Sequence, residues 1–162
     1  MLVMGIDPGL DTTGYGLIKF DEGSSILVEG GLIKSRATEP MARRVGDIFT
    51  GVTEIILEYR PDLIAMEEIY SHYKHPKTAV IMAHARGAIL AAADREGVPV
   101  HHYAATRIKS AVTGNGRARK EQVQRMVYTL LGLQTSDHPL DTTDALAVAL
   151  CHINQKLKVM VS

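Results

Sequence analysis

Three strand-like segments crowd into the first 34 residues, and the links between them are too short for anything but hairpins. Leu2–Asp7 reads as a buried strand, Gly14–Phe20 as a second and Ser25–Lys34 as a third, with Asp21-Glu22-Gly23 as the turn between the last two. Links of that length imply antiparallel pairing, because a parallel return needs a crossover of a dozen or more residues. The pattern then changes. A helical period runs from about Met41 to Tyr59, with Val45, Ile48, Val52, Ile55 and Ile56 on one face and Pro61 ending it. Asp62–Glu67 is a fourth strand, Pro76–Glu96 a long helix and Val100–Tyr103 a fifth strand. Helices over about Ala105–Val112, Ala118–Leu131 and Leu140–Gln155 complete the chain. Strands followed by alternating helix and strand predict an α/β fold, a mixed sheet with helices on its faces. One domain over residues 1–162 is expected, large enough to bury roughly 70% of its unfolded surface.

Composition narrows the setting. Cys151 is the only cysteine, which excludes an intrachain disulfide and a cysteine-based zinc site. No signal peptide is recognisable and no apolar stretch approaches a membrane span, so a reducing, cytoplasmic setting and no membrane are expected. Net charge is zero, yet the charges are not evenly spread. Residues 69–136 hold ten Lys or Arg against three acids, a net +7, and the remainder carries −7. A polyanion would be drawn to the first part and a divalent cation to clusters within the second.

The acids sit at telling places. V-M-G-I-D-P-G ends an apolar run on Asp7, and L-I-A-M-E-E ends another on Glu67 and Glu68. Asp at a strand end can simply start a turn. It can also mark the crevice at the carboxyl edge of an open sheet, where α/β folds place their sites. Adjacent parallel strands would bring Asp7 and the glutamates together. Asp141 and Asp144, in H-P-L-D-T-T-D-A-L-A, are three apart and share a helix face. Asp141 could serve only as an N-terminal cap; Asp144 lies beyond the cap position. Four converging carboxylates repel one another unless cations hold them. Oxygen donors alone suit Mg²⁺ or Mn²⁺ over zinc. Two such ions can activate water and stabilise a leaving alkoxide, and the basic segment supplies a reason for phosphate. Phosphodiester hydrolysis on a nucleic acid follows as the expected chemistry.

Six motifs now stand in order along the chain: G-I-D-P-G-x-x-x-T-G-Y-G, A-M-E-E-I-Y, A-R-G-A-I, Y-A-A-x-x-I-K, G-N-G-R-A-R-K-E-Q-V-Q and D-T-T-D-A-L-A-V-A. Together they resemble the RuvC family of bacterial Holliday-junction resolvases from end to end. The resemblance implies a ribonuclease-H-like, five-stranded mixed sheet, with three antiparallel and two parallel strands flanked by helices. It implies a homodimer that cuts four-way junction DNA by paired nicks, in recombination and repair, with two Mg²⁺ per active site, Mn²⁺ substituting. It also implies work alongside RuvA- and RuvB-type branch-migration proteins. It assigns catalysis and metal binding to Asp7, Glu67, Asp141 and Asp144. Glu68 stands where relatives carry Gln, so Glu67 is preferred; strand alternation lets only one of the two face the site.

The same resemblance gives Tyr70 a stacking role on an unpaired junction base, against the plainer reading of a packed surface aromatic. Lys109 and Lys120 match basic positions near the scissile phosphate. Arg117 and Arg119 flank the glycine loop and are expected on the DNA backbone; singly, each would pass for a solvated charge. His72 and His75 are poor metal ligands, being in a loop, and His101 and His102 point opposite ways on a strand. The Val80–Ala93 segment is nearly all small or apolar, which predicts a helix buried on more than one side, internal or lining a two-fold interface. Three other readings remain at this point: an actin-like or sugar-kinase ATPase fragment, an inactive junction-binding scaffold, and a nuclease cutting RNA–DNA hybrids.

Overall fold

The computed structural model of the protein describes residues 1–68, 76–134 and 140–161. Ten elements follow in order: β1 Leu2–Asp7, β2 Thr12–Asp21, β3 Ser24–Lys34, α1 Met41–Tyr59, β4 Leu63–Glu67, α2 Pro76–Arg95, β5 Val100–Tyr103, α3 Ala105–Thr113, α4 Lys120–Leu131 and α5 Leu140–Val161. The strand order is β3-β2-β1-β4-β5. β1–β2 and β2–β3 pair antiparallel, β1–β4 and β4–β5 parallel. This is the expected mixed sheet, with β1 in the middle and β4 paired parallel to both β1 and β5.

Local chemistry sets the corners. Glu22 and Gly23 both have positive φ, 47° and 83°, the pair of left-handed residues a tight two-residue hairpin needs. α1 ends where Arg60 turns left-handed and its N–H bonds the Ile56 carbonyl at 2.8 Å, one residue before Pro61. α4 begins two residues later than its period suggests. The Arg119 N–H is satisfied by the Gln122 side chain at 2.8 Å, which fixes the helix start there. α5 runs six residues past the expected Gln155, with Leu157 still packed against the core.

Alternation along the central strands divides the core in two. Met4, Ile6, Ile64 and Met66 pack towards α1 and α2, with Ile48, Val52 and Ile89. Val3, Leu63 and Ala65 pack towards α3, α4 and α5, with Val127, Leu146 and Leu150. β1 and α5 approach closely: a Cβ built on Gly5 would lie 1.9 Å from the Ala145 carbonyl oxygen. Glycine is therefore required at that position for the helix to lie against the sheet. For α2 the structure decides against one of the two expected placements. Within the chain it buries one side only, through Ala85, Ala88, Ile89, Ala92 and Ala93. Its other side exposes Val80 (56%), Ile81 (40%) and Leu90 (37%), so the helix is not internal to the chain.

An imidazole is enclosed in the core on α5. His152 is 3% exposed, its Nδ1 shares a 2.6 Å hydrogen bond with the Tyr103 hydroxyl, and its Nε2 has no partner among the described residues. Burial first, then the nearby His101 and Lys156, hold its pKa down to about 4. The unfolded chain takes up that proton near pH 6.5 and the folded one only near pH 4, so stability is lost as pH falls through this window. The loss amounts to about 3 kcal/mol at most. His152→Gln, which keeps a partner for Tyr103, should flatten that part of the curve. Urea denaturation from pH 7 to 4 tests this; parallel curves for both proteins would refute it.

Among the described residues no helix is long and apolar enough to cross a membrane.

Candidate active site

The parallel register sets Ile6 of β1 beside Met66 of β4, so Asp7 and Glu67 end their strands abreast. Phase then decides between the glutamates. Ile64 and Met66 face α1 and α2, so Glu67 faces the opposite side with Ala65 and Leu63, towards α5. Asp7 shares that side by the same count, alternating with Ile6. Glu68 falls on the far side, exposed, where its charge acts on Arg86.

Glu67 lines a depression of about 230 Å³ with Lys109 of α3, Lys120 of α4 and Asp144 of α5. The turn between α3 and α4 brings the two lysines together. Gly114 closes α3 in a left-handed conformation (φ 76°), and the Asn115 side chain accepts the Arg117 N–H at 2.9 Å. The chain reverses within a few residues, which puts Lys109, near the end of one helix, opposite Lys120 at the start of the next. The Lys120 ammonium donates to Asp144 at 2.5 Å.

Electrostatics mark the spot as crowded with negative charge. Burial pushes the Glu67 carboxyl up, the Asp144 carboxylate pushes it further, and Lys109, Lys120 and Arg86 oppose the rise. A half-buried acid facing a second acid is relieved by a cation, and two carboxylates offer only oxygen donors. The chemistry of this set fits a hard divalent ion. No group of three His, Cys, Asp or Glu side chains poised to hold a metal occurs among the described residues. The fourth expected acid, Asp141, lies inside the first turn of α5 and not at its cap, and its side chain is outside the described set.

The remaining expected residues divide. Arg117 and Arg119 are exposed and do not line the depression; neither forms an ion pair among the described residues. Tyr70, His72 and His75 lie outside the described residues. His101 and His102 do point opposite ways, the first towards the His152 ring (centroids 5.0 Å apart) and the second towards Arg86 (3.0 Å). Nothing in the spacing singles out Arg86, whose guanidinium donates to the Glu67 carbonyl from behind the sheet. A lone cation in an otherwise small, apolar stretch of helix was the available signal.

The family model for the crossover junction endodeoxyribonuclease RuvC matches residues 3–152. The chain belongs to the RuvC family. A RuvC from Rhodopirellula baltica is 46% identical over 149 residues, covering 92% of this chain and 84% of that protein. One from Moorella thermoacetica is 45% identical over 152 residues, covering 94% and 90%. The structure of T. thermophilus RuvC in complex with Holliday junction substrate matches with a TM-score of 0.91 at 37% identity, over 98% of this chain and 96% of that one. The sheet is thus the ribonuclease-H-like one expected. As a member of that family the chain is an endodeoxyribonuclease, and nucleases of the family depend on metal. The kinase-fragment, inactive-scaffold and hybrid-cleaving readings fall away with that membership.

Proposed function

We propose that the chain resolves four-way DNA junctions by paired symmetric nicks, as a homodimer, with residues 1–162 acting as one nuclease domain. Asp7, Glu67, Asp141 and Asp144 are the groups that would hold two Mg²⁺, or Mn²⁺ in their place. Bound there, such ions supply a more acidic attacking water and charge for the leaving oxygen. The chain's own part is to keep the acids ionised and the phosphate near. Lys109 and Lys120 offset the negative charge around Glu67 and Asp144 and attract the scissile phosphate. Tyr70, three residues past Glu67, stacks on a base already unstacked at the crossover. Arg117 and Arg119, exposed and away from the acids, bind backbone phosphates. The apolar side of α2 packs against a second copy, since a symmetric junction calls for an isologous pair. RuvA- and RuvB-type proteins are the partners that would deliver the junction.

The observation that carries this reading is the meeting of Glu67 and Asp144 with Lys109 and Lys120 in one depression. One preparation assayed on a four-way junction, a plain duplex and an RNA–DNA hybrid tests it, with Mg²⁺ and with chelator. Paired nicks are expected on the junction alone and only with metal; equal cutting of the duplex would overturn it.

Salt dependence tests the basic residues separately. Each lost phosphate contact should flatten the plot of log K against log salt by about 0.9. Arg117→Ala with Arg119→Ala should therefore change the slope for junction binding by roughly 1.8. An unchanged slope would make the two arginines solvent-facing charges with no part in binding.

A further inference from the structure

β1 pairs with β4 only as far as Ile6–Met66, so Glu67 is held by the sheet on one side, through β5. Its carbonyl is taken instead by Arg86. One Nη of that guanidinium donates to the Glu67 carbonyl oxygen, and the other donates to Nδ1 of His102 at 3.0 Å. Arg86 reaches from α2, which packs on the face opposite the depression. The main chain is thus gripped from behind while the carboxylate projects forward to Asp144, Lys109 and Lys120. The fork also ties the ends of β4 and β5 together, because Glu67 and Tyr103 are paired residues and the Glu68 N–H bonds the Tyr103 carbonyl at 2.9 Å. Only a planar, two-armed donor does both at once, and Lys offers a single point charge.

We propose that Arg86 is a positioning residue for strand cleavage: it fixes the carboxyl end of β4, and through it the Glu67 carboxylate, and makes that fix depend on the seating of α2. The inference rests on the nuclease reading above. α2 carries on its outer side the exposed Val80, Ile81 and Leu90. Whatever covers that side bears on the same helix that holds Glu67 in place. A shift of α2 would be felt at the acid without any contact to DNA. The Arg86 side chain itself does not line the depression, so it acts through Glu67 and not on the phosphate.

Parent, Arg86→Met, Arg86→Lys and His102→Ala are compared on one junction. Three quantities are read: single-turnover nicking at saturating enzyme, junction Kd, and the Mg²⁺ concentration for half-maximal rate. Arg86→Met should lower the nicking rate about a hundredfold, the scale on which a misplacement of about 1 Å acts, with Kd within about threefold. Its half-maximal Mg²⁺ should rise. Arg86→Lys, keeping one donor for the carbonyl, should recover part of the rate, and His102→Ala, freeing one arm of the fork, should lose less than Arg86→Met. A purely structural Arg86 would lower the melting temperature and leave the rate of the folded enzyme and its Mg²⁺ dependence alone. That result, or an Arg86→Met variant that nicks at the parental rate, overturns the proposal; should Arg86→Met not fold, a parental rate and Mg²⁺ dependence in His102→Ala and Arg86→Lys does the same. A parent that does not nick junctions at all would instead overturn the nuclease reading.

Discussion

Glu67→Gln should reduce single-turnover nicking of a four-way junction by at least about a thousandfold while junction Kd stays within a few-fold of the parent. The size follows from removing a group that would hold the ions supplying both an activated water and a stabilised leaving oxygen. Binding survives because the carboxylate does not attract phosphate. Asp7→Asn, Asp141→Asn and Asp144→Asn should behave alike. Glu68→Gln is the control: its side chain falls on the α2 side of the sheet, so nicking should continue. A second readout comes from stability. Burial and Asp144 raise the Glu67 carboxyl, so the folded state binds its proton more readily than the unfolded chain does. The metal-free protein therefore loses stability as pH rises from the ordinary carboxyl range through that raised pKa, and the loss is complete above it. In chelator at pH 7, Glu67→Gln should melt higher than the parent, and with metal the order should reverse. A Glu67→Gln enzyme nicking at the parental rate would remove Glu67 from the site.

Gly5→Ala should cost about 3 kcal/mol or more, a fall in melting temperature of about 10 °C for a chain of this size. The added methyl would lie 1.9 Å from the Ala145 carbonyl oxygen, and that oxygen belongs to the backbone of α5. No side-chain rotation relieves the clash; the helix must move off the sheet. Gly16→Ala makes the comparison. Its methyl would meet Leu146 Cδ2 at 2.4 Å, a side chain that can turn, so the loss should be smaller. Since Asp144 precedes Ala145, a displaced α5 also draws Asp144 away from Glu67. Nicking by Gly5→Ala should fall well below that of Gly16→Ala even at temperatures where both are folded. Thermal melts and rates at 20 °C below each melting point measure this. A Gly5→Ala protein that melts with the parent would mean the helix has room to yield.

What the sequence made legible is what depends on local pattern. The hairpin at Glu22-Gly23, the α1 face through Ile48, Val52 and Ile55, and the strand ends on Asp7 and Glu67 are all written in period and turn chemistry. Glu67 against Glu68 is different. Alternation has two phases, and only the packing of Ile64 and Met66 against α1 and α2 selects one. Gly5 reads as an ordinary weak strand residue until α5 is laid across it. Arg86 escapes for a related reason: its partner is a backbone carbonyl, which no residue type announces. Of the two readings of α2, the internal one falls and the interface one stays open, because an apolar composition says that a surface is covered, not by which chain.

The site has no local precursor. Asp7, Glu67 and Asp144 arrive from the first strand, the fourth strand and the last helix, and the strands carrying the first two meet only through β1–β4 pairing across the sheet. Contacts between such distant parts form late, after the cost of closing long loops has been met. A chain emerging from the ribosome holds β1 and β4 long before α5, so the half-made protein lacks Asp141 and Asp144 altogether. If the four acids act as proposed, cutting requires α5 to have been made and to have docked against Gly5. On that reading a partially made chain, lacking two of its four acids, would leave DNA uncut.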